Sequence, residues 1–128
     1  MNVAPKVKFV NVLPKGTAMK VTLLMPKAAV KGMPYDIPIG IGSLSAVLKR
    51  AGHSVSLLNL NHYDYSSTDD LIQRIRSTLP DIIGTGGMSF SYNYLQFLLR
   101  VAKDACPDAT TMVGGMVVTS QPDIVYDG

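Results

Sequence analysis

Short apolar runs alternate along this chain with longer stretches in which apolar positions recur at helical spacing. Lys20 to Met25 (KVTLLM) is such a run and is stopped by Pro26, which predicts a strand. Gly40 to Ala51 carries Ile41, Leu44, Val47, Leu48 and Ala51 at helical spacing. Lys49 and Arg50 fall in its last turn, and Gly52 supplies a stop. Ser54 to Leu60 is the next strand, and Asn61 to Ser66 is polar and turn-like. Thr68 to Thr78 reads as a helix capped by Ser67 or Thr68. Asp69 and Asp70 lie near its start and Arg74 and Arg76 near its end, as the helix dipole favours. A third strand starts at Asp81 and runs to Gly84. A helix over Ser91 to Ala105 places Tyr94, Leu95, Leu98, Val101, Ala102 and Ala105 on one face, and Pro107 ends it. Thr110 to Gly114 is the fourth strand, and Pro122 suits the first turn of a last helix. Before all of these, Lys6 to Val12 alternates apolar and polar residues and stops at Leu13-Pro14-Lys15-Gly16, an extra edge strand or an N-terminal arm.

Strand and helix alternate, which demands crossover connections and a parallel sheet. The predicted fold is α/β: a flavodoxin-like, Rossmann-like three-layer sandwich with strand order 2-1-3-4 and a crevice between the tips of strands one and three. Residues 1–19 form the arm and residues 20–128 the α/β domain. A fifth strand would normally follow the last helix. Its absence leads us to expect a C-terminally truncated piece of a longer protein, or an unusually short version of the fold.

Composition narrows the function classes. With 128 residues, 47% of them hydrophobic, the chain can bury one sizeable core. A net charge of +3 is mild, and Lys6, Lys8, Lys15, Lys20, Lys27 and Lys31 are scattered, so no nucleic-acid surface is expected. Cys106 is the single cysteine, which excludes an internal disulfide and a cysteine metal cluster. No apolar run has membrane-spanning length and no leader is evident, so a cytoplasmic protein without a membrane partner is expected.

Candidate chemistry gathers at two glycine-marked strand ends. Gly84-Thr85-Gly86-Gly87-Met88-Ser89 matches a dinucleotide fingerprint at two glycines, but Ser89 takes the third-glycine position and the segment follows the third strand. It reads either as a ligand loop of another kind or as a glycine turn that lets the next helix pack closely. The second end is Val113-Gly114-Gly115-Met116. No G-x-x-x-x-G-K-[ST] loop occurs, and no acidic cluster of a phosphoacceptor domain. His53 and His62 flank the second strand without partners at metal-ligand spacing, so no metal ligand is assigned. Cys106 has no adjacent His or Lys to activate it, and Asp123 and Asp127 read as a solvated face. No catalytic residue is assigned. Tyr94 reads as core, whereas Tyr92 is open to either core or a place over a ligand.

Several segments, in order, resemble the cobalamin-binding domain that precedes the catalytic barrel in cobalamin-dependent radical S-adenosylmethionine enzymes. They are KVTLLMP from Lys20 to Pro26, IPIGIGSLSAVLKRAGHSV from Ile37 to Val55, PDIIG from Pro80 to Gly84 with its serine-bearing loop, and VGG from Val113 to Gly115 running on to Pro122. The resemblance covers residues 20–128. It implies a corrin across the C-terminal strand edge with its nucleotide tail in the crevice. Ser89 and the neighbouring Gly86, Gly87 and Met88 would supply contacts, with Pro26 and Tyr92 nearby. Gly114 and Gly115 would leave room for the tail, and Met116 to Thr119 would line its far side. Corrinoid domains with a histidine cobalt ligand carry D-x-H-x-x-G after the first strand, where this chain reads Pro26-Lys27-Ala28-Ala29-Val30-Lys31-Gly32. Val117 stands where radical-enzyme relatives frequently carry another histidine. Cobalt would then have water or nothing as its lower ligand. The resemblance further implies a methyltransferase or related radical enzyme, whose C-terminal barrel would hold S-adenosylmethionine and an iron–sulfur cluster outside this chain. Two other readings stand beside it: a cofactor-free scaffold or interaction domain, and a nucleotide or flavin binder at the same crevice. The fourth strand's exposed edge also predicts self-association.

Overall fold

Val21 to Leu24 are all buried, because the strand they form, β1 (Lys20–Met25), is flanked on both sides. β2 (Ser54–Asn59) pairs with it in parallel from Lys20 opposite Ser54 to Met25 opposite Asn59. β3 (Ile82–Gly86) lies on its other side, and β4 (Thr110–Gly114) pairs with β3. The order is β2-β1-β3-β4, parallel throughout, as the alternating pattern requires. This computed structural model describes residues 16–28, 39–88 and 91–127, without the side chains of 124, 126 and 127. The expected strand over residues 6–12 and the candidate residue Ser89 lie outside the described residues.

Three crossover helices connect the strands: α1 (Ile39–Arg50), α2 (Thr68–Ser77) and α3 (Tyr92–Ala105). The first crossover runs from β1 to β2 and the next two run the other way across the sheet. Right-handed connections therefore place α1 on one face and α2 with α3 on the other. Side chains alternate along each strand, so Leu24 and Ile83 turn toward α2 and α3, while Leu23 turns toward α1. The main core lies on the α2–α3 face, where Leu24, Ile83, Leu71, Ile75, Leu98, Val101 and Ala102 pack together. Two polar ties close this face: Thr22 and Thr78 share a hydroxyl hydrogen bond of 2.6 Å, and Thr85 donates to the Leu24 carbonyl at 3.0 Å. Ser67 caps α2, accepting from the Asp70 N–H at 3.2 Å.

Two features differ from expectation. On α1, Leu44 and Val47 are 48% and 60% exposed, and the helix buries Ser45 instead. Its inward stripe runs through Ile41, Ser45 and Leu48. A 3.6-residue period allows adjoining stripes on one helix, and the apolar count favoured the one that does not meet β1 and β2. The second feature is α4 (Met116–Ser120), which precedes the expected last helix, α5 (Pro122–Asp127). Gly115 turns the chain there with φ +88°, and the Val117 N–H bonds the Gly87 carbonyl at 3.0 Å, so Val117 is buried and not left in a loop. No described helix is long and apolar enough to cross a membrane.

Candidate functional site

The chain leaves β1 toward one side of the sheet and leaves β3 toward the other, so the tips of these two strands open a crevice. Glycines line the α1 face beside it. Gly84 pairs with Leu23 and Met112, and Gly86 pairs with Gly114, so all three glycines share a face. They lack side chains for different reasons. A Cβ on Gly84 would lie 3.2 Å from Leu23 Cδ2, and one on Gly86 would lie 2.5 Å from the Gly114 carbonyl oxygen. Gly86 thus permits the close approach of β3 to β4, which the Gly87 N–H continues with a 3.4 Å bond to the Gly114 carbonyl. Gly115 has a left-handed φ, and its Cβ would sit 3.0 Å from the backbone N and O of Gly87. Only Gly114 among this group faces space with no described atom within 4 Å. Sequence reasoning treated Gly114 and Gly115 alike, whereas the fold itself requires Gly115 and leaves Gly114 open.

Met88 and Met116 stand at the adjoining tips of β3 and β4, 56% and 58% exposed. Thioethers here form a flexible apolar lip beside the open glycine. The hydroxyl of Thr119 is exposed and donates to the Gly115 carbonyl at 3.4 Å. Pro26 ends β1, and its carbonyl accepts a 3.1 Å bond from the Asn61 side chain. Asn61 was not singled out from the sequence. Its signal was a second asparagine directly beyond a strand end, in a stretch that otherwise reads as turn.

Tyr92 is placed apart from the glycines. It lines a groove with Leu95, Val113 and Val117 on the α3 face of β4, and its hydroxyl accepts from Gln96 at 2.9 Å. Tyr94, expected in the core, is partly buried against it. Its ring stacks on Phe97 and its hydroxyl lies 3.2 Å from that of Tyr65. Burial, and next the Tyr65 hydroxyl, push the Tyr94 phenol above its ordinary range, so it stays neutral and serves as a structural tie. His53 accepts from the Met19 N–H at 3.2 Å, at the opposite edge of the sheet. Among the described residues no cluster of His, Cys, Asp or Glu could hold a metal ion. What the tips offer is one open glycine, Gly114, beside closely packed ones, together with an apolar lip and scattered backbone and hydroxyl groups. That suits a large, mostly apolar ligand with a few polar ends.

The fold is similar to that of a cobalamin-dependent S-adenosylmethionine radical enzyme, OxsB, solved with aqua-cobalamin bound. The TM-score is 0.65 at 19% identity, over 86% of this chain and 16% of that one. The same enzyme with aqua-cobalamin and S-adenosylmethionine gives a TM-score of 0.63 at 18% identity over the same shares of the two chains. In sequence, the chain is 27% identical over 118 residues to the cytidylyl-2-hydroxyethylphosphonate methyltransferase of Streptomyces wedmorensis, covering 75% of this chain and 22% of that protein. It is 29% identical over 82 residues to the anaerobic magnesium-protoporphyrin IX monomethyl ester cyclase of Cereibacter sphaeroides, covering 64% and 13%. The chain therefore spans less than a quarter of each of these proteins. The profile of the B12 binding domain matches residues 29–127, most of the chain, and on that match this protein belongs to the B12-binding domain family.

Proposed function

We propose that this chain binds cobalamin at the strand tips and serves as the cofactor-carrying domain of a longer radical S-adenosylmethionine enzyme. The observation that carries the reading is the open face of Gly114 beside the crevice, in a chain of this family. A Cβ there would fill space that nothing described occupies, as a path for a flat apolar tail requires. Gly84, Gly86 and Gly114 form the floor, and Met88 and Met116 give apolar contact at the rim. Thr119 offers a hydroxyl, Gly87 and Pro26 shape the backbone, and Ser89 belongs to the same loop in sequence. Gly115 acts through the turn that brings Met116 to the rim. The β1 loop carries no histidine in its sequence from Pro26 to Gly32, and the corrin is proposed to be held by shape and peripheral contacts. The bound corrinoid would supply a carrier for a methyl group or support a related radical reaction.

The parent enzyme is proposed to be a cytoplasmic methyltransferase or related radical enzyme. Its barrel, S-adenosylmethionine and iron–sulfur cluster would lie outside this sequence. Purified chain should retain hydroxocobalamin through desalting, with a shifted corrin spectrum. Folded protein that keeps no corrin would overturn the reading and favour the scaffold alternative, which the lack of a histidine in the described β1 loop supports. Bound flavin or nucleotide would favour the third reading. The outer edge of β4 pairs with no described strand, so the isolated chain is further proposed to self-associate through it. Sedimentation velocity should show a concentration-dependent dimer, and a monomer at all concentrations would rule this out.

A further inference from the structure

The β1 lip of the crevice is held from outside the crevice. Asn61, just beyond β2, uses both ends of its amide on the two residues that bracket Lys27. Its Nδ2 donates to the Pro26 carbonyl at 3.1 Å, and its Oδ1 accepts from the Ala28 N–H at 2.7 Å. The same Nδ2 donates to Asn59 Oδ1 at 3.0 Å, and so does the Asn61 N–H, which fixes the amide's orientation. Lys27 itself is tied by its ammonium to Asp64 at 3.1 Å, and its backbone N–H lies against the Tyr94 hydroxyl. The Lys27–Asp64 pair is exposed, 47% and 97%, and contributes little. Asn61 is therefore the side chain that bonds the backbone on both sides of Lys27, beside the Tyr94 contact to Lys27 itself.

We infer that Asn61 is a positioning residue for the cofactor: it presets the β1 lip against which the corrin edge rests. This deepens the proposed function and rests on it. The bond to Ala28 is exposed, so in the absence of Asn61 water can satisfy that N–H. Loss of the clamp should then loosen position more than it lowers stability. An asparagine serving only the turn would give the opposite pattern.

The test pairs backbone amide exchange on the free chain with a hydroxocobalamin titration, for wild type, Asn61→Ala and Asn61→Asp. Asn61→Ala should speed exchange at Ala28 without changing it at Leu24. It should raise the hydroxocobalamin dissociation constant about tenfold, the equivalent of one well-placed hydrogen bond to a preorganised site, with little change in melting. Asn61→Asp keeps the shape and the acceptor for Ala28, but sets a second oxygen against the Pro26 carbonyl. It should keep the Ala28 protection and still weaken binding. Unchanged Ala28 exchange in Asn61→Ala would refute the clamp. Faster exchange with unchanged affinity would refute its role toward the cofactor, and so would affinity lost only in proportion to melting. If wild type itself retains no hydroxocobalamin, the proposed function fails first and this inference falls with it.

Discussion

Gly114→Val should abolish retention of hydroxocobalamin in a chain that still folds, whereas Gly115→Val should damage the fold itself. Gly114 has an ordinary strand conformation, and no described atom lies within 4 Å of the Cβ a valine would add. Free chain should accept that side chain with little change in melting. A tail running over the same position would meet it directly. An overpacking cost of about 3 kcal/mol corresponds to about a hundredfold in affinity. Gly115 is the contrary case. Its φ of +88° is strained for valine, and the side chain would press on the Gly87 backbone from 3.0 Å. A cost of about 3 kcal/mol is expected, lowering the melting midpoint by about 10 °C. Circular dichroism melts and corrin retention on the two variants separate the roles. Equal loss of fold in both would make Gly114 a packing residue and remove the cradle.

Leu98→Ala should destabilise the chain by about 2–5 kcal/mol, while Leu44→Ala should change stability by about 0.5 kcal/mol or less. Both leucines sit at helical apolar spacing and look equivalent in the sequence. Leu98 is fully buried on α3 within the cluster of Leu24, Leu71, Ile75 and Ile83, so truncation leaves a cavity that rigid neighbours on several elements cannot fill. Leu44 is 48% exposed on α1, and truncation removes little contact. Chemical denaturation of the two variants measures the difference directly. A large cost at Leu44 would show that its stripe is covered in solution.

The corrin reading depends on how glycines and hydroxyls punctuate the strand ends, and that punctuation is legible in the residue order itself. Glycine is a local signal that the backbone comes close to something, but it does not say to what. At Gly86 and Gly115 the close neighbour is the chain's own backbone, and at Gly114 it is open space. Tyr92 likewise carried an open reading, since a helix's first turn after a strand can lean either way. Its place in the α3 groove depends on where β4 and α4 meet that helix.

The sequence alone determined the order of the four strands and the three crossover helices, the parallel sheet of order β2-β1-β3-β4 and the burying face of α3, but not the short helix α4. These rest on short-range periodicity, on glycine and proline punctuation, and on the fixed hand of crossover connections. Tertiary structure alone decided which stripe of α1 meets the sheet, which glycine stays open, and that Asn61 holds Pro26 and Ala28. Each of those depends on contact between segments far apart in the chain, such as the 35 residues separating Pro26 from Asn61. Local propensity carries no information about such pairs, because the packing that joins them forms only when the whole sheet does.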